Sequence, residues 1–274
     1  LANAQTTPKI FVASSGSDVN DGGRLTPKRS FQAAHDAVAA GGEIVALDTA
    51  GYGALKITKS VGIVVPLGVT GFVTTTDPSL DAITINASSS DTVSIQGLIV
   101  EGPGYTQGNP NGILATSVGA LIIDNTVVRN FGTGININSS VATKVVIRHS
   151  AIRGSAIGVA ASDNQAAVRV DVAVNETELT KNALAISSAA AFVPSVTVLA
   201  VSRCLIAGNT KVFYSTTPAN VPGATAFTTV DNSTLVGNGI VYAAAGGGSN
   251  ITFGNNALID NTIFGTAPVT NSLR

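Results

Sequence analysis

The chain of 274 residues carries a net charge of −1, and charged side chains make up 11% of it against about 25% in an average domain. A surface built largely from Ser, Thr, Asn and Gly lacks the basic field that nucleic acid needs and the basic amphipathic helix of a membrane-surface protein, and no apolar run is long enough for a membrane span. A single cysteine excludes a disulfide within the chain.

In chain order, Ala2-Asn3-Ala4 before Gln5 reads as the small-x-small tail of a secretory signal, so a secreted or periplasmic protein is expected, with residues 1–8 flexible. Residues 9–42 form an entry unit. Lys9–Ser14 alternates as a strand, and Ser15–Thr26 is a turn-rich loop. Its Asp18, Asn20 and Asp21 have a calcium-like composition, but such Asx-Gly runs favour plain turns, and no metal or other cofactor is expected. Ser30 then suits a helix N-cap, with Phe31, Ala34 and Val38 on one face and Gly41-Gly42 as the stop. A short amphipathic helix here serves as a lid over an otherwise open end.

Residues 43–265 are read as coils, beginning with Glu43–Leu47, Leu55–Ile57 and Gly62–Val65, and continuing as a repeat. The decamers VSIQGLIVEG, LIIDNTVVRN, VVIRHSAIRG, VAVNETELTK, LAVSRCLIAG, TTVDNSTLVG and ITFGNNALID are followed by Pro103, Phe131, Ser155, Asn182, Asn209, Asn238 and Asn261, at spacings of 28, 24, 27, 27, 29 and 23. A period in the mid-twenties marks a solenoid. Leu121 and Ile123, Val145 and Ile147, Val172 and Val174, Leu199 and Val201, Thr228 and Val230, Ile251 and Phe253 each flank one outward residue, which is strand alternation. After a polar corner comes an inward row of Val128, Ile152, Leu179, Ile206, Leu235 and Leu258, and then a further alternating segment. Three short strands per coil, stacked on those of the next coil, make an all-β, right-handed parallel β-helix in one domain, 1–274. A β-sandwich would need hairpin turns every 8–12 residues and would not keep Asn or Ser in register across copies.

Thr126, Ser150, Thr177, Cys204, Ser233 and Asn256 share one corner position and are expected to stack as a column bonding to neighbours or to the bent backbone, with Cys204 a small buried side chain. His149 shares its position with Asn125, Glu176 and Arg203, as a solvated turn would. Tyr214 and Tyr242 are expected to stack inside; Phe72, Phe192 and Phe253 read as interior or insertion fillers. A Pro-rich insertion, Thr216–Ala224, offers no polar chemistry.

The order FVASSGSDVNDGG, TPKRSFQAAHDAV, GGEIVALDTAGYG and then Asn-cornered repeats resembles the pectin-lyase-like superfamily over nearly the whole chain. That resemblance implies a helix-capped right-handed parallel β-helix and no single activity, because the superfamily includes lyases, hydrolases, epimerases, esterases and phage tailspikes. The catalytic pattern of polygalacturonase-like enzymes is absent, since His149 lies in Arg-His-Ser and His35 in the lid helix. The acidic cluster of calcium-dependent pectate lyases is absent too, so no catalytic motif carries over.

One outward column remains: Glu101, Arg129, Arg153, Thr180, Ala207, Val236 and Ile259. Its first three members should stack about 4.8 Å apart, with Asn130 and Lys181 beside them. Arginine forks match carboxylates or sulfates on an acidic sugar, and Glu101 is the candidate base or orienting partner. The loop Gly102–Asn111 would wall this column, with Tyr105 in reach of a sugar ring; equally, the column is a Glu–Arg surface pair and the loop a surface insertion. Two functions stand at this point: an exported protein binding a polysaccharide or surface saccharide without turnover, or a polysaccharide lyase or related enzyme acting on an acidic glycan. At the C-terminus, in the tail 266–274 and just before it, Ile263 and Phe264 are expected to fold back over the last coil, with Pro268 stopping further pairing, giving a monomer; otherwise that end meets another chain.

Overall fold

Three alternating runs separated by bent residues make each coil. In the coil through the central repeat they are Ala120–Asp124, Val127–Arg129 and Thr133–Ser139. The computed structural model describes residues 7–104, 110–218, 223–266 and 268–270; Ala2-Asn3-Ala4, Tyr105 and residues 219–222 of the Pro-rich insertion lie outside them. Each strand pairs in parallel with its equivalent in the next coil, so that Leu121 faces Val145, Val128 faces Ile152 and Ile135 faces Val159. Among the described residues this gives an eleven-stranded first sheet containing Ala120–Asp124, a nine-stranded second sheet containing Val127–Arg129, and a nine-stranded third sheet containing Thr133–Ser139.

The inward rows are where alternation puts them up to the last coil, where Leu258 pairs with Leu235 in register but is 42% exposed. Val128, Ile152, Leu179, Ile206 and Leu235 are in register and fully buried. The corner between first and second sheets is a single left-handed residue, with φ of 46° to 51° at Asn125, His149, Glu176, Arg203 and Asn232. The next position is the polar column: Thr126, Ser150, Thr177, Cys204 and Ser233 are all buried. Their hydroxyls donate to the carbonyl two residues back, as Ser150 does to Arg148 (2.7 Å) and Ser233 to Asp231 (2.8 Å), and accept an N–H from the preceding coil, as Ser150 does from Thr126 (3.2 Å) and Ser233 from Cys204 (3.1 Å). Burial pushes the Cys204 thiol up to about 11, which leaves it protonated and unreactive at neutral pH.

The lid helix is Phe31–Ala37, with Ser30 Oγ accepting from the Ala33 N–H (3.2 Å). It ends before Gly41-Gly42, because Val38 turns to extended backbone and buries its side chain, freeing Gly42–Ala46 to begin the first coil. Phe31 packs on Tyr52 at 4.8 Å between ring centroids. In the preceding loop Asp18 accepts from the Arg29 and Ser30 N–H groups and the Ser30 hydroxyl, and Asp21 accepts from Gly23 N–H and the Thr26 hydroxyl. Asn20 Nδ2 donates to the Pro27 carbonyl (2.9 Å). These side chains build turns.

Several expectations are corrected. Phe213, not Tyr214, stacks on Tyr242 (5.6 Å), while Tyr214 points outward opposite Ala243. Third-sheet strands open with two consecutive buried residues, such as Ala185-Ile186 and Val212-Phe213, which displaces the alternation by one. In the last coil Asn250 and Thr252 pair with Thr228 and Val230, so Ile251 and Phe253 are not the inward residues. Asn250 is drawn inside by a buried polar cluster: it accepts from Ser215 Oγ (3.0 Å), which also lies within hydrogen-bond distance of Thr228 Oγ1 (3.2 Å). Of the other aromatics, Phe72 is an outward residue of the second sheet opposite Ile99, and Phe192 is 43% exposed. Finally, Ile263 and Phe264 do not fold back. Ile263–Gly265 adds a strand to the third sheet and Val269–Thr270 adds one to the first, beyond Pro268, because strand addition satisfies an edge that a fold-back would leave unpaired. Both Ile263 and Phe264 stay 53% exposed.

Candidate functional site

The outward column of the second sheet has the expected register, running Glu101, Arg129, Arg153, Thr180, Ala207, Val236 and Ile259. Glu101 Oε2 accepts from Arg129 Nη2 at 2.8 Å, and each side chain is about a third exposed. The surface-pair reading is thus realised for these two, and it ties up the candidate base. Arg153 forms no ion pair among the described residues. Asn130 and Lys181 are corner residues with φ of 66° and 55°, alternating with Gly154 and Gly208 at 66° and 64°. Their place is set by a left-handed bend between second and third sheets, which Asn tolerates best among non-glycine residues. Tyr105 lies outside the described residues.

A second feature escaped the sequence reading. A groove of about 370 Å³ lies over the start of the first sheet, floored by Gly119, Ala120 and Ala142 and walled by Ser89, Ser90, Asp91 and Thr92 on one side and Arg169 and Asp171 on the other. Lys144 stands in it, exposed, between Ala120 and Asp171 in the sheet. Short connections at 118–119 and 140–142 follow the longer one at 87–91, which supplies Ser89, Ser90 and Asp91, while Thr92, Ala120, Lys144 and Asp171 are register neighbours in the first sheet. Gly119 is required there, because a Cβ would collide with the Ser89 carbonyl. Asp91 accepts from Ser60 Oγ (2.6 Å), Ser60 N–H (3.1 Å) and Ser88 N–H (2.8 Å), bonds that hold its carboxyl below the usual range. Asp171 accepts from Arg169 Nε (2.8 Å), leaving the Lys144 ammonium without an ion pair among the described residues. The one sequence signal was the 24-residue spacing beside spacings of 28 and 27.

The corner around His149 carries an exposed ion-pair chain. Asp124 receives Arg148 Nη2 (2.9 Å) and His149 Nδ1 (2.9 Å), and Glu176 receives His149 Nε2 (2.7 Å) and Arg203 Nε (2.8 Å). The bond to Asp124, backed by Glu176, raises the His149 pKa above its ordinary 6.5. Burial drives that of His35 the other way, and its Nε2 accepts the Thr58 N–H (3.2 Å), which requires that nitrogen unprotonated. The signs are therefore opposite. Stabilisation by protonated His149 is complete below 6.5 and is lost as pH rises through the raised pKa, whereas His35 costs stability once pH falls far enough to protonate it. In an NMR titration the two imidazoles should titrate on opposite sides of 6.5, and the stability difference between wild type and His149→Gln should shrink as pH rises past the His149 midpoint. A His149 midpoint at or below that of His35 would contradict this.

Among the described residues no group of three His, Cys, Asp or Glu side chains is arranged to hold a metal, and no helix is long and apolar enough to cross a membrane. No protein-family model matches the sequence, and no curated protein matches it. Among solved structures the chain is similar to the pectate lyase Pel9A, at 16% identity over 97% of this chain and 80% of that one, with a TM-score of 0.54. It is also similar to XylC in complex with xylose, at 8% identity over 91% of this chain and 69% of that one, with a TM-score of 0.56. At these identities the likeness is one of fold, that of a right-handed parallel β-helix.

Proposed function

We propose that this chain binds a segment of polysaccharide in the groove over Gly119, Ala120 and Ala142 and does not turn it over. The observation that carries this reading is the groove itself. Its volume falls in the range of about 300–1,000 Å³ typical of ligand sites. Its floor lacks bulky side chains, and its walls offer Ser89, Ser90 and Thr92 hydroxyls, the Asp91 and Asp171 carboxylates and the Lys144 ammonium. Sugar hydroxyls both donate and accept, so a mixed wall of this kind suits them. The fold neighbours, a pectate lyase and a protein solved with xylose, support a carbohydrate ligand. Two features favour binding over turnover. Asp91 is held by Ser60 and Ser88, with its pKa lowered away from the working range of a general base, and Asp171 is engaged by Arg169. Glu101, the other candidate base, is on a different sheet and paired with Arg129. Export to the cell exterior, where such polymers are met, is part of this proposal.

The test is calorimetry against neutral and uronate-containing polysaccharides. Ala142→Trp fills the groove from an exposed position and should weaken binding at least about tenfold, equivalent to about 1.4 kcal/mol. Lys144→Ala should act mainly on charged ligands. Unchanged binding in Ala142→Trp would overturn the groove, and growing absorbance from an unsaturated product would overturn the absence of turnover.

A further inference from the structure

We propose that Arg129 and Arg153, flanked by Lys181, form a separate site on the second sheet that takes an oxyanion, a carboxylate or a sulfate. Two guanidinium-bearing strands stand side by side in register, about 4.8 Å apart, and the one carboxylate of the column lies on the far side of Arg129 from Arg153. That carboxylate, Glu101, meets Arg129 through Nη2 alone. Arg129 Nε is buried and has no acceptor among the described residues, so one N–H of its guanidinium is unsatisfied. The neighbouring Arg153 guanidinium, unlike that of Arg129, has no ion pair among the described residues. The nearest other acid by register is Glu178, which lies opposite Ala151 and whose Oε1 accepts from Thr180 Oγ1 (3.3 Å). Lys181 adds a third cation at the exposed corner, in a chain that holds only 15 Lys and Arg in all.

Like charges on successive strands repel, and a bound oxyanion relieves that repulsion; the buried, unpartnered Nε–H gains an acceptor as well where the Arg129 guanidinium turns outward from Glu101. A planar carboxylate or a tetrahedral sulfate has oxygens enough to meet both arginines, and arginine forks match either geometry. Glu101 then occupies the position of a built-in competitor, which gives the site a directional signature: removing it should strengthen anion binding.

The experiment is titration of the full chain with sodium sulfate and with a uronate trisaccharide in low-chloride buffer, read by calorimetry and by backbone amide shifts. Shifts should concentrate at Glu101, Arg129 and Arg153. Arg153→Ala should weaken binding about tenfold, Arg153→Lys should restore part of it, and Glu101→Gln should strengthen it about threefold. Ala142→Trp should leave sulfate binding unchanged, so failure of the groove and failure of this site are told apart. Sulfate binding alone assigns a free small oxyanion, and binding of both probes assigns a glycan-borne one. No saturable binding of either probe, wild-type affinity in Arg153→Ala, or weaker binding in Glu101→Gln would overturn the proposal.

Discussion

Asn209→Ala is expected to destabilise the chain by about 3–5 kcal/mol, among the largest single-residue effects in the solenoid, because it leaves several buried polar groups of the preceding coil without partners and removes a donor to Asn238 in the next. Asn209 is buried at the corner between second and third sheets. Its Oδ1 accepts from the Asn182 N–H (2.9 Å) and Asn182 Nδ2 (3.2 Å), and its Nδ2 donates to the Leu179 carbonyl (2.9 Å) and to Asn238 Oδ1 (3.0 Å). The same geometry repeats at Asn238 with Asn261, forming a ladder that follows the chain up the solenoid. Alanine leaves the Asn182 N–H and the Leu179 carbonyl buried without these partners. Serine should be milder, since Ser155 fills the equivalent place and its Oγ accepts the Phe131 N–H (3.2 Å). Urea midpoints should rank wild type above Ser above Ala, and hydrogen exchange at the Asn182 amide should quicken most in the alanine variant. An alanine variant within about 1 kcal/mol of wild type would mean that the ladder only decorates the corner.

Ile152→Ala should cost about 2–5 kcal/mol by a different route, the loss of burial plus a cavity. Ile152 is fully buried, between Val128 and Leu179 in one aliphatic row. Its neighbours cannot close the gap, because hydrogen bonds on both sides fix the spacing between coils at about 4.8 Å. The outward neighbour Ala151 offers the control: Ala151→Ser should change stability by no more than about 0.5 kcal/mol. Equal losses at the two positions in chemical denaturation would contradict the assigned inward face.

The inward rows, the polar column from Thr126 to Ser233, the lid capped by Ser30 and the Glu101–Arg129–Arg153 column were all legible in the sequence. Each depends on which way a side chain points within one short strand, and on a repeat length that stacks like on like. Both are properties of the local chain: alternation has a period of two, and the corners recur every 23 to 29 residues. Reading failed where local period and neighbourhood part company. Tyr214 and Tyr242 read as the inward ends of equivalent strands in neighbouring coils, but the doubled burial of Val212-Phe213 at the entrance to the third sheet moves the frame by one. The last coil shifted because the polar partners Ser215 and Thr228 drew in Asn250, a preference set by residues about 20 to 35 positions away. The C-terminal edge was decided by strand addition, because backbone N–H and C=O groups seek the adjacent strand whatever the side chains of Ile263 and Phe264 prefer.

The functional surface divides the same way. Sequence determined that two arginines and a glutamate would stand in one column, since register follows from the repeat. Only the tertiary structure decided that Glu101 closes on Arg129 and leaves Arg129 Nε without an acceptor, because that depends on how long side chains bend across neighbouring coils. The groove belongs wholly to the tertiary level. Ser89, Ala142 and Asp171 come from three coils, brought together by inter-coil register and by the length of the 87–91 connection beside its shorter neighbours, which no single stretch of the chain contains.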